Sequence, residues 1–159
     1  MSTDSHPQHP ALKRVRTLSY WLDNSIAIPG TTYRIGLDPL IGLLPGAGDA
    51  VGVALSAYIV LEAARLGLPR EALIRMVTNI VLDTVMGSLP IVGDFFDASW
   101  KSNTRNAALL EAHLKSAKPK QKVDKWLLAA LFGGLFLVVV GLVAFSVIGI
   151  RLLSQAVSG

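Results

Sequence analysis

The sequence predicts an all-α membrane protein, with two pseudo-repeated helical hairpins followed by one C-terminal transmembrane helix. Three observations carry this. Trp126 to Ile150 is a run of 25 residues without a charge, longer than the ~20 that a helix needs to cross a bilayer. A thirteen-residue phrase is written twice at an offset of 45. Leu37 to Asp49 reads L-D-P-L-I-G-L-L-P-G-A-G-D and Leu82 to Asp94 reads L-D-T-V-M-G-S-L-P-I-V-G-D, with seven positions identical. The basic residues, finally, cluster beside apolar stretches. Lys13, Arg14 and Arg16 form one group, Arg65, Arg70 and Arg75 a second, and Lys101 to Lys125 a third. Such clusters are the expected flanks of membrane-associated segments.

Composition narrows the chemistry. The chain is 52% hydrophobic and only 16% charged, against roughly 25% charged in an ordinary soluble domain. It has no cysteine, which excludes disulfides and thiolate sites. His6 and His9 lie in a Pro-containing tail and His113 stands alone, so a zinc site has little material. The basic groups are not interleaved with aromatics in the manner of a nucleic-acid binder.

Residues 1–11 are polar and Pro-containing and predict a disordered tail without a secretory core. Residues 12–28 place Leu12, Val15, Leu18, Trp21 and Leu22 at helical spacing, with Lys13, Arg14 and Arg16 opposite. This predicts a short amphipathic helix that lies on a membrane surface or packs on the core, ended by Pro29-Gly30.

Residues 33–115 predict a duplicated hairpin domain, with repeats at about 34–68 and 71–115. In the first repeat, Asp38-Pro39 reads as an N-cap followed by proline at the first helical position. That leg ends near Pro45-Gly46. Asp49 opens a second leg, Ala50 to Leu66, which closes at Gly67 with Pro69 beyond. In the second repeat, Glu71 to Leu89 forms the ingoing leg, and Asp94 caps an outgoing leg reaching about Lys115. Each hairpin tip is thus Pro-x-x-Gly-Asp. Ile35 to Leu44 makes only about 15 Å of helix, half of a hydrocarbon core. The hairpins are therefore either re-entrant or part of a bundle docked at the membrane surface.

Residues 116–125 are a basic linker, and residues 126–153 the transmembrane helix. Trp126 and Lys125 anchor one end and Arg151 snorkels at the other. The lysine-dense side is expected to be cytoplasmic, which places the N-terminus and the hairpin bases there too, in a bacterial inner membrane.

Four acids are repeated with the phrase: Asp38, Asp49, Asp83 and Asp94. A carboxylate among apolar neighbours is costly unless capped, paired or used. One reading makes the four a pseudo-symmetric cation or proton site at broken helix ends. The plainer reading makes each a helix cap. Asp83 resists the plainer reading because it lies inside a helix, where Arg75, Asn79 and Asp83 form a polar stripe at i, i+4 and i+8. That stripe is either paired across the bundle or part of a hydrophilic path. Lys101, Asn103, Arg105 and Asn106 form a basic and polar cluster, read as a solvated or headgroup-facing surface. Gly48, Gly52 and Ser56 fall four apart, a face suited to close helix packing. No nucleophile elbow, zinc-protease helix or phosphate-cradling loop is present.

The runs R-I-G-L-D-P-L-I-G-L-L-P-G-A-G-D (Arg34 to Asp49), E-A-A-R-L-G-L-P (Glu62 to Pro69), R-M-V-T-N-I-V-L-D (Arg75 to Asp83) and K-S-N-T-R-N (Lys101 to Asn106) occur in this order. Together they resemble the "domain of unknown function" family numbered 4112, over about Tyr33 to Leu110, with the terminal segments outside it. The resemblance implies small, mainly bacterial and fungal proteins, often with a membrane span and without an activity to carry over.

The functional expectation is a non-enzymatic membrane interaction or scaffold module, with lipid as its partner, room for a homo-oligomer, and neither cofactor nor nucleic acid. The alternative is a small cation- or proton-binding, transporter- or channel-like protein that uses the acidic tips. A hydrolase ranks third, for want of a nucleophile arrangement.

Overall fold

The computed structural model describes residues 9–32, 34–37, 48–88, 100–116, 121–122 and 124–158. Five helices account for most of them: α1 (Pro10–Asn24), α2 (Gly48–Arg65), α3 (Arg70–Gly87), α4 (Ser102–Lys115) and α5 (Lys125–Ser158). A two-stranded antiparallel ribbon, β1 (Ile26–Ala27) and β2 (Arg34–Ile35), pairs Ile26 with Ile35 and Ala27 with Arg34. The chain is all-α with one C-terminal apolar helix.

α1 starts where His9 caps it, its Nδ1 accepting from the Ala11 amide at 3.3 Å, with Pro10 at the first position. Proline loses nothing there, since that amide has no partner inside the helix. Leu12, Val15, Ser19 and Leu22 recur at helical spacing and are buried. Of the two placements the sequence allows, α1 therefore packs on the core. It stops at Asn24 rather than Ile28, because residues 26 and 27 enter the ribbon.

The α2–α3 corner matches the sequence expectation. Gly67 has a φ of +85°, a left-handed conformation that glycine adopts without steric cost. The Leu68 amide donates to Ala63 and the Gly67 amide to Ala64, the paired bonds of a Schellman C-cap. Leu68 is buried beside them, and Pro69 precedes α3. α2 buries Ser56, Ile59, Val60 and Ala63, while α3 buries Leu73, Met76, Val77 and Ile80. Small Ser56 lies on this packed face, as the four-residue spacing implied.

Two expectations are corrected. The first leg of the first repeat does not begin as helix at Ile35, because Ile35 is paired in β2. The outgoing leg of the second repeat does not run unbroken into α4. Lys101 takes a left-handed φ of 41° and α4 begins anew at Ser102. The hairpin tips, with Asp38 and Asp94, lie outside the described residues, as does the side chain of Asp49.

Ion pairs fix the direction of each helix. Arg14 meets Glu62 at 2.8 Å, Arg16 meets Glu111, and Arg70 meets Asp124 at 2.7 Å. The start of α1, the end of α2, the start of α3, the end of α4 and the start of α5 therefore share one end, the base. α5 is fastened twice there: the Gln121 amide donates to Gly67, and Asp124 accepts from the amides of Trp126 and Leu127 while holding Arg70. From the base, α5 climbs beside α3 and its Leu128, Leu131, Phe132 and Leu135 pack against the core. Its 34 residues make about 51 Å of helix against about 27 Å for α3. The upper part of α5 leaves the bundle, with Phe136, Leu137, Phe145 and Ile148 exposed.

Candidate functional site: a polar layer between α1, α3 and α4

The K-S-N-T-R-N run begins α4, whose first amides have no acceptor within the helix. Its N-cap residue, Lys101, provides no side-chain bond to them. The acceptor comes from another helix. Asp23, on the last turn of α1, takes the Asn103 Nδ2 at 2.8 Å on one oxygen and the Thr104 amide on the other at 2.6 Å. An acid is unfavourable at the end of its own helix and favourable at the start of another. Asp23 thus serves α4, not α1.

Asn24 continues the contact. Its Nδ2 donates to Thr104 Oγ1 at 2.9 Å, and its Oδ1 accepts from the Lys101 ammonium. The ribbon is tied to the same corner: Arg34 donates to the Asn24 carbonyl at 2.8 Å and to the Tyr20 hydroxyl at 2.9 Å.

On the α3 side, Ser102 Oγ donates to Asp83 Oδ2 at 2.9 Å. One turn further along each helix, Asn106 Nδ2 donates to the Met76 carbonyl at 3.0 Å, and Asn79 Nδ2 donates to Asn106 Oδ1 at 2.8 Å. Trp100 Nε1 reaches the Asn79 carbonyl at 3.4 Å, and the Arg105 guanidinium stacks 3.9 Å from the Trp100 ring. Two members of the predicted stripe, Asn79 and Asp83, are thus paired across the bundle. Arg75, the third, stands exposed on the flank.

The predicted basic and polar cluster divides. Asn103 and Asn106 are fully buried, and Ser102 nearly so, whereas Arg105 is exposed. The expectation of one solvated or headgroup-facing surface is therefore corrected for the two asparagines. Asn103 and Asn106 sit on the same face as Ala107 and Leu110, so an inward face was written in their spacing. Sequence reasoning missed Asp23 and Asn24 altogether, because the groups they serve lie about eighty residues away.

Burial pushes the Asp23 carboxyl above the usual carboxylate range, against the opposing pull of Asn103, Thr104 and Lys101. At the base the balance is reversed. Burial would raise Glu62, but Arg14 and Arg65 hold it below its ordinary value. Arg16 and Lys115 lower Glu111 to about 2. Chemically, the Asp23 layer is a cross-helix lock. Both carboxylate oxygens are already accepting hydrogen bonds, and among the described residues no group of three acids and histidines is gathered to hold a metal.

No solved structure matches the chain. An uncharacterized membrane protein of Saccharomyces cerevisiae is 32% identical over 102 residues, which is 63% of this chain. The aligned region covers 42% of the yeast protein's length, so most of that protein has no counterpart here. The domain of unknown function DUF4112 matches residues 11–114, which takes in α1 as well as the doubled phrase. α1 thus lies within the span of the family rather than outside it, in keeping with its burial against the core. The chain belongs to the DUF4112 family.

Proposed function

We propose that this protein is a non-enzymatic membrane-anchored interaction or scaffold module. In this reading, α1 to α4 form a rigid platform, α5 crosses the bilayer, and the base of the bundle faces the cytoplasm. The observation that carries it is the build of α5. One helix with an uncharged run of 25 residues is pinned to the bundle only along its first turns and leaves the rest of its surface exposed. A helix this apolar and this uncovered fits hydrocarbon, not water. The likeness to a yeast membrane protein supports the same reading. The buried polar groups of the bundle are engaged in locking helices, which suits a platform. The finer picture of two duplicated hairpins with Pro-x-x-Gly-Asp tips belongs to this proposal as well.

The chain has no cysteine, so single cysteines report topology directly. Ser116→Cys at the base should react with an impermeant maleimide only after the cytoplasmic side is opened, and Ser154→Cys should react from outside. Release of the full chain by alkaline carbonate would overturn the membrane reading. The acidic-tip alternative is tested separately by melting the detergent-purified chain against a panel of cations and pH. A cation that raises the wild-type transition but not that of Asp83→Asn would replace the scaffold reading with an ion-binding one.

A further inference from the structure

We infer that the flank between α3 and α4 is a binding site for the headgroup phosphate of an anionic phospholipid. A groove of about 470 Å³ lies there, lined by Arg75, Thr78, Asn79, Arg105, Ala108 and Leu109. It offers two guanidinium groups, two neutral polar groups and an apolar floor of Ala108 and Leu109. Among the described residues no acid lines it and neither arginine has a carboxylate partner. The other arginines of the bundle are mostly occupied: Arg14, Arg16, Arg65 and Arg70 each hold an acid. Arg105 is held in place by its Nε bond to the Trp100 carbonyl at 3.1 Å and by stacking on the Trp100 ring. Stacking engages the face of the guanidinium and leaves in-plane donors on its terminal nitrogens for a phosphate.

The depth of the groove favours lipid over a free anion. The last twenty uncharged residues before Arg151 are Leu131 to Ile150, and twenty residues make about 30 Å, the thickness of the hydrocarbon core. Its lower boundary therefore falls near Leu131, about 9 Å above Lys125. α3 starts at the same level, because Arg70 pairs with Asp124. Arg75 then stands about 7.5 Å above the base. Arg75 thus lies at the height where the headgroups of one leaflet meet the acyl chains, and the groove runs on past its apolar floor to Arg105, about 7 Å deeper, since the neighbouring Asn106 is level with Asn79. An anionic phospholipid satisfies both halves of the groove, whereas inorganic phosphate satisfies one. This inference rests on the membrane reading of α5, which the carbonate and labelling experiments test independently.

The experiment titrates the detergent-purified full chain with short-chain phosphatidylglycerol, short-chain phosphatidylcholine and inorganic phosphate, reading the melting transition. Phosphatidylglycerol should give a saturable rise, and the other two little or none. Arg75→Gln/Arg105→Gln should weaken that response about tenfold or more, since each basic group near anionic lipid adds measurably to affinity. Ala108→Trp, which keeps both charges and fills the groove, should weaken it as well. It carries the test if the double variant fails to fold. Lys13→Gln/Lys122→Gln, which removes the same charge elsewhere, should leave the response in place. Equal phosphatidylglycerol affinity in wild type and groove variants would overturn the site, as would an equal loss in the Lys13/Lys122 control. A matching rise with inorganic phosphate alone would overturn the lipid assignment.

Discussion

Asp23 accepts the backbone amide of Thr104, 81 residues further along the chain, and so caps a helix to which it does not belong. The same carboxylate holds Asn103, so one side chain joins the end of α1 to the start of α4. Burial of such an acceptor is tolerable only because both oxygens are satisfied. Removing it takes this acceptor away from both the Asn103 side chain and the Thr104 amide. Asp23→Ala should therefore cost roughly 2–4 kcal/mol in unfolding free energy. Asp23→Asn retains one acceptor oxygen and sheds the buried charge, so its loss should be smaller, about 1 kcal/mol. Chemical denaturation of the three proteins in one detergent checks the order. Equal losses would show that the cap is not what Asp23 contributes.

The base and the Asp23 layer should respond to acid in opposite senses. Glu111 has a folded pKa of about 2, below its unfolded value of about 4.3. Its contribution is present above the unfolded value and is lost as pH falls through the folded one. Glu62, also lowered, behaves alike. Asp23 is raised, so its titration favours the fold below about 3.9 and that advantage is lost as pH rises through its folded value. Glu111→Gln should be destabilising at pH 6, and its difference from wild type should shrink between pH 4.5 and 2. Melting curves over that range test it; a constant difference would contradict the assigned cause.

Gly36 sits where the chain after β2 crosses the last turn of α1. A Cβ there would fall on the Leu22 carbonyl, which belongs to the helix backbone and cannot rotate away. The close approach lets the Leu37 amide donate to the Trp21 carbonyl at 3.0 Å, satisfying one of the last carbonyls of α1. Gly36→Ala should cost several kcal/mol, on the order of 3 or more, because backbone rather than a side chain must move. Gly133→Ala is the control: a Cβ there meets nothing within 4 Å, and within a helix alanine is favoured over glycine. Thermal melts should separate the two widely.

The parts of this fold that were legible in the sequence are those decided locally. Gly67 and Pro69 mark the α2–α3 corner because a left-handed residue and a missing amide act on the chain itself. The charge-free run of α5 is likewise a local property. Asp23 and Asn24 were invisible for the opposite reason, since their meaning lies in Asn103 and Thr104, which only the tertiary fold brings near. Asn103 and Asn106 were half legible. Their spacing from Leu110 places them on an inward face, yet their polarity argues for water until a partner is known. The doubled acids divide likewise, with only Asp83 having a described partner, Ser102.

The exposed length of α5 distinguishes lipid from water as its surroundings. Val140 lies near the middle of the charge-free run and is 45% exposed, so no packing in the bundle depends on it. In water, a lysine at such a position would be neutral or favourable, since it would break an apolar surface. In a bilayer the same lysine stands near the centre of the hydrocarbon and costs about 2.5–3.5 kcal/mol of insertion free energy. Val140→Lys should therefore lower the membrane-integrated fraction measured by carbonate extraction. Val157→Lys, beyond Arg151 and 88% exposed, should not lower it. The sign of the Val140 effect decides between the two solvents. Unchanged integration together with better solubility would place α5 outside the membrane, and a loss confined to Val140 would place the middle of the helix in lipid.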